Sequence, residues 1–105
     1  MKTGVELIAI ERKRQIEELG FDYTKDAFYS NEQLAKAGAC YALPEYYRDK
    51  HLDIIEDPED DNLLSAIWPW NIIYWKPTAE NRIKELAKAG ALIAAQIDYI
   101  QNNKK

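Results

Sequence analysis

The last third of the chain constrains its fold most. Pro77 interrupts what precedes it, Thr78 follows as an N-cap, and Glu80 sets a negative charge against the positive end of a helix dipole. Beyond them Ile83, Leu86, Ala87, Gly90, Ala94, Ile97 and Ile100 recur at helical spacing, and Lys104 and Lys105 trail the far end. The pattern predicts a helix from Ala79 to about Gln101, roughly 34 Å long at 1.5 Å per residue. A chain of 105 residues has room for one core.

Two more helices are written in the N-terminal half. Thr3 and Glu6 spell a capping box, Val5, Ile8, Ile16 and Leu19 follow near helical spacing with an interruption at Arg12, and Gly20 supplies a left-handed stop. The first helix is placed from Gly4 to Leu19. From Phe21 to Tyr29 no period holds, so this stretch reads as a connecting loop. Ser30 and Gln33 form a second capping box, and Leu34, Ala37, Gly38 and Tyr41 make one stripe until Pro44 removes an amide donor. From Glu45 to Pro77, three prolines and an acidic run leave room only for short helices or turns. The expectation is one all-α domain over residues 1–105: a small helical bundle of three principal helices with an irregular, aromatic-rich connection.

A heptapeptide echo links two of these helices: Gln33-Leu-Ala-Lys-Ala-Gly-Ala39 against Glu85-Leu-Ala-Lys-Ala-Gly-Ala91. Two short matches do not make a repeat protein, and coincidence between two alanine-rich helices is the alternative reading. Glycine and alanine let helix axes approach closely, so Gly38 and Gly90 read as contact points despite a cost of about 1 kcal/mol each relative to alanine. The contact joins either the two helices of one chain or two copies across a two-fold axis, and a homodimer is the expectation taken forward.

Charge and cysteine usage bound the partners. A net charge of −4 and a pI near 5.0 repel phosphate backbones. The run Arg12, Lys13 and Arg14 is bracketed by Glu11, Glu17 and Glu18 and reads as a solvated helix face, so bulk charge argues against nucleic acid. The lone Cys40 excludes an intrachain disulfide, fits a reducing compartment, and reads as a small buried hydrophobe. No stretch reaches the roughly 18 apolar residues of a membrane span, and the N-terminus lacks the apolar core of a signal peptide. A cytoplasmic protein is expected.

Few residue sets carry chemistry. His51 is the sole histidine and reads as an exposed imidazole, which removes His-based triads and multi-histidine zinc sites. Six acidic residues fall between Asp53 and Asp61, but a calcium loop starting at Asp57 requires Gly and Glu where Asn62 and Trp68 stand, so a solvated acidic loop is expected. Glu11, Gln15 and Glu18 share a helix face beside Arg14. Such a row suits magnesium or a phosphate-bearing ligand, yet its carboxylates stand two turns apart, roughly 10 Å, and structural ion pairs are the favoured reading. Trp68, Trp70 and Trp75 concentrate too much apolar area to stay in water, as a lid on the bundle or as a recognition surface, with the lid favoured. Tyr23, Phe28 and Tyr29 are candidates to complete that cluster.

In order along the chain, Glu11-Arg12-x-Arg14-Gln15, Glu18-x-Gly20-Phe21, Ala39-Cys40-Tyr41-Ala42, Trp68-Pro69-Trp70, Trp75-Lys76-Pro77 and Lys88-Ala-Gly-Ala-Leu-Ile93 resemble the signatures of a family of small phage and prophage proteins of unassigned function. The family pattern carries a His-Asp-Asp-x-His cluster in the first loop and a glutamate in the last helix. At those positions this chain has Lys25, Asp26, Ala27 and Tyr29, and Gln96. If that cluster binds metal, the resemblance implies that most of it is lost here, with Asp26 retained.

The enzyme class nearest in size and helicity is the all-α nucleotide pyrophosphohydrolases, which hold magnesium on Glu-x-x-Glu and Glu-x-x-Asp pairs. Neither pair occurs in the three helices: Ala35 follows Glu32 at that spacing, and Lys88 follows Glu85. The expectation is therefore a noncatalytic binding or assembly protein without cofactor, metal ligand or catalytic residue, its candidate ligand-binding residues being Glu11, Arg14, Gln15, Glu18, Asp26, Trp68, Trp70 and Trp75. The alternative is a magnesium-dependent pyrophosphohydrolase-like enzyme.

Overall fold

A computed structural model of the chain describes residues 1–19, 32–48, 63–78 and 80–102. They form α1 (Gly4–Leu19), α2 (Gln33–Ala42), the short α3 (Glu45–Arg48) and α4 (Leu63–Ile67), a 3₁₀ turn at Ile72–Tyr74, and α5 (Arg82–Asn102). No strand occurs among the described residues, and the fold is all-α as expected.

Local chemistry accounts for the element ends. Both halves of the α1 capping box are made, with the Thr3 amide donating to Glu6 Oε1 at 3.0 Å and the Glu6 amide to Thr3 Oγ1 at 3.2 Å. The last helix begins at Arg82 rather than Ala79, because Asn81 caps it: the Asn81 side chain accepts from the Lys84 amide at 3.1 Å and its carbonyl from the Glu85 amide at 3.2 Å. Thr78 is not the cap; its amide donates to Glu85 Oε2 at 2.9 Å. For α2, Ser30 lies outside the described residues, and the residue preceding the helix, Glu32, sits at φ 57° with no side-chain cap.

The two ends of α2 are instead closed by other elements. Gln96 of α5 accepts from the Ala35 amide at 3.2 Å, satisfying a donor of the first turn. At the other end the Cys40, Tyr41, Ala42 and Leu43 carbonyls receive the Arg48 and Arg82 guanidinium groups, the positive charges that a helix C-terminus attracts. These contacts set α2 antiparallel to α5. Helix α1 runs the other way along α5, with Ile8 against Gly90 and Arg12 paired to Asp98 at 3.3 Å. Both α1 and α2 pack on α5 rather than on each other, and the molecule measures 39 × 37 × 21 Å. Its thickness is about two helix diameters of 10–12 Å.

The core is built from small residues. Leu34, Ala37 and Tyr41 of α2 meet Ala89, Leu92 and Ala95 of α5. A Cβ on Gly38 would stand 3.1 Å from the Ala89 carbonyl oxygen and from Ile93 Cγ1, and one on Gly90 would stand 2.5 Å from Ile8 Cδ1. Both glycines are thus taken up by packing within one chain.

The apolar stripe read from the sequence of the last helix is not its core face. Ile83 is 66% exposed, Leu86 47%, Ile97 51% and Ile100 49%, whereas Glu85, Ala89, Ala91, Leu92, Ala95 and Gln96 are buried. Hydrophobic periodicity finds the longest run of large aliphatics; it does not say that the chain covers that run.

Candidate functional site

The most heavily buried ion pair among the described residues joins α5 to α3. Arg48 Nη1 donates to Glu85 Oε2 and Nη2 to Glu85 Oε1, both at 3.2 Å, with the two side chains 5% and 2% exposed. Arg82 adds a bond to Oε1 at 3.1 Å, and the Thr78 amide supplies a further donor. Burial on its own would raise the Glu85 carboxyl, but these donors outweigh it and hold it below the usual carboxylate value. Because both arginines also donate to the last carbonyls of α2, the knot fastens three elements at one point. The spacing of charges along the sequence did not reveal it: Glu85 and Arg48 stand 37 residues apart, and each alone is an ordinary helical residue.

The α1 face places its residues as ion pairs. Arg14 Nε donates to both Glu11 oxygens at 2.7 and 3.0 Å, and Arg14 Nη1 reaches Glu18 at 3.4 Å. The Glu11 hydrogen bond raises the Arg14 pKa further. Glu11 is buried and Glu18 exposed. Gln15 is 3% exposed, and its Oε1 has no donor facing it among the described residues. Lys88 of α5 lies within electrostatic reach of Glu11 and Arg14; its ammonium donates to the Lys76 carbonyl at 2.9 Å, and burial lowers its pKa. Among the described residues no group of three or more His, Cys, Asp and Glu side chains is arranged to hold a metal ion. Asp26, His51 and the acidic run Asp53 to Asp61 lie outside the described residues, as do Tyr23, Phe28 and Tyr29.

The tryptophans form a half-buried cover over Tyr41. Trp75 lies 4.6 Å from the Tyr41 ring in a tilted stack, Trp68 meets Tyr41 edge-on at 5.9 Å, and Trp70 meets Trp68 edge-on at 5.5 Å. Polar tips are satisfied: Trp68 Nε1 donates to the Asn71 carbonyl at 3.1 Å and Trp70 Nε1 to Gln33 Oε1 at 3.4 Å. The Arg48 guanidinium lies 5.0 Å from the Trp75 ring centre, so the cover also sits over the buried ion pair. Tyr41 in turn accepts from the Lys76 amide at 3.1 Å, and burial raises its phenol pKa. The structure brings Trp68, Trp70 and Trp75 together, as a lid on the core cluster. The inner side of that lid is taken up by Tyr41 of α2, which distinguishes it from a bare recognition platform.

On the opposite flank of α5 lies a shallow apolar groove, lined by Gly4, Leu7 and Ile8 of α1 and Ile83, Leu86 and Ala87 of α5. It continues into the exposed stripe of α5. Compared with protein families, curated proteins and solved structures, the chain gives no match.

Proposed function

We propose that this chain is a noncatalytic binding or assembly protein of the phage and prophage type its motifs resemble, working through its outer apolar face. The observation that carries the reading is how its polar interior is used. The buried carboxylates Glu11 and Glu85 are each held by guanidinium groups, Arg14 for one and Arg48 with Arg82 for the other. Carboxylates so paired make poor magnesium ligands, since a hard cation would have to displace an arginine already bound at both oxygens. The exposed stripe of α5 is aliphatic instead, with Ile83, Leu86, Ile93, Ile97 and Ile100 open to solvent, and that is the chemistry of protein contact. A free, buried Cys40 agrees with a reducing cytoplasm.

The test is incubation of the full chain with nucleoside triphosphates and magnesium or manganese. No pyrophosphate release is expected. Robust release that disappears in Glu11→Gln would overturn the reading in favour of a pyrophosphohydrolase-like enzyme. A thermal-shift series with the same nucleotides and metal ions should likewise leave the melting temperature unchanged.

A further inference from the structure

We infer that the partner on the outer face is a second copy of this chain, docked α5 against α5 in antiparallel register about a two-fold axis. The inference rests on the reading of that face as the binding surface. Ile83, Leu86, Gly90, Ile93, Ile97 and Ile100 follow one another at steps of three and four residues, the heptad spacing of a helix seam. All five large members are between 44% and 66% exposed. None of the six positions is charged, so closing the seam desolvates no ion.

The stripe is its own complement when reversed. Turned end for end about its midpoint, Ile83 falls opposite Ile100, Leu86 opposite Ile97, and Gly90 opposite Ile93. At the crossing point each Ile93 then faces Gly90 and the Ile8 side chain packed over it. In a parallel pairing the two Ile93 side chains would instead meet each other. An antiparallel pair also opposes the two helix dipoles, where a parallel pair would align them.

The area is sufficient. Val5, Ile8 and Ile16 share a stripe of α1 with Arg12, whose charge is met by Asp98, and the contact of Ile8 with Gly90 places that stripe beside the seam. Together with the α5 stripe, the exposed Val5 and Ile16 offer on the order of 600 Å² per copy, close to the roughly 800 Å² each partner gives to a standard interface. A two-fold axis uses the same patch twice.

Light scattering on the wild-type chain should return twice 12.2 kDa at micromolar concentration. Leu86→Lys alone and Ile97→Glu alone should each give 12.2 kDa with an unchanged helical spectrum, since both positions are exposed. An equal mixture of the two variants should return to the dimer mass. In the antiparallel seam the ammonium introduced in one variant faces the carboxylate introduced in the other, and the second Leu86 and Ile97 pair stays native. A wild-type monomer up to about 100 µM, or single variants that stay dimeric, overturns the inference. Dimeric wild type with monomeric variants that fail to complement overturns the antiparallel register. None of these results bears on the noncatalytic reading, which the pyrophosphate assay decides separately.

Discussion

Arg48 and Glu85 meet through two parallel hydrogen bonds of 3.2 Å, with almost no solvent on either side chain. Such a pair is costly to desolvate and costly to break, because removing one partner strands the other charge. Glu85→Ala and Arg48→Ala should each lower stability by about 3 to 5 kcal/mol in urea unfolding. The double variant should lose clearly less than the two added together, as expected for residues in one network. Purely additive losses would show that the two side chains act independently.

The same carboxylate contributes to the acid limb of the stability curve. In the folded chain Glu85 titrates below its ordinary value, whereas an unfolded glutamate titrates near about 4.3. Between the two values the unfolded chain holds a proton that the native chain does not, so stability falls as pH drops. The contribution is complete above the unfolded pKa and is lost as pH passes down through the folded one. Melting temperatures taken from about pH 6 to pH 3 should therefore fall less steeply in Glu85→Gln than in the wild type. Equal slopes would assign the acid sensitivity to other groups.

What could be read from the sequence was what neighbours along the chain decide. The Thr3–Glu6 box placed the start of α1 because both partners lie within one turn. Pro44 and the stripe through Leu34, Ala37 and Tyr41 located α2 for the same reason. Thr78 fits a cap by residue type, but Asn81 holds the position, and the amide of Thr78 goes to Glu85. The exchange between core face and outer face in α5 lay beyond periodicity, since it depends on which side α2 approaches. That side is fixed by Gln96, Glu85 and Arg82, polar residues that a hydrophobic pattern ignores. On α1 the pairing of Glu11 and Glu18 through Arg14 follows the helical spacing of the three residues, which is why it was legible.

Cys40 should be inert in the native chain. It is fully buried between α2 and its neighbours, and burial pushes its thiol up to about 11 despite the nearby Arg48 charge. A thiolate is the reactive form, so at pH 8 a disulfide reagent should modify the folded protein at least tenfold more slowly than the urea-unfolded chain. Comparable rates would mean that the α2 end opens readily and that the arginine clamp on its carbonyls is weak.

The tryptophans should differ in consequence. Trp75 stacks on Tyr41 and lies over Arg48, while Trp70 packs on the core cluster beside Trp68 and makes a long hydrogen bond to Gln33. Trp75→Ala should cost about 2 to 3 kcal/mol, below the range for a fully buried tryptophan because the ring keeps some solvent contact, and Trp70→Ala less. The fluorescence remaining in Trp75→Ala should shift to longer wavelength, since Trp68 loses a neighbour 5.1 Å away. A larger loss on removing Trp70 would reverse this ranking and move the centre of the lid.

Gly90 and Ile8 offer a test in which the sign itself is the readout. In a helix interior alanine is favoured over glycine by about 1 kcal/mol, so Gly90→Ala ought to stabilise an unobstructed helix. Here the added methyl would lie 2.5 Å from Ile8 Cδ1 and 2.7 Å from Cγ1. A β-branched side chain has few rotamers to retreat into, and overpacking of this kind costs about 1 to 3 kcal/mol. Gly90→Ala should therefore destabilise the wild-type chain in urea unfolding at a fixed protein concentration. Ile8→Ala removes all three of the crowding atoms, and in that background the same substitution should stabilise by about 1 kcal/mol. If Gly90→Ala stabilised both chains, α1 would not be seated against α5 at this point. If it destabilised both to the same extent, the obstruction would come from an atom other than those of Ile8, and the close approach of α1 to α5 would need another cause.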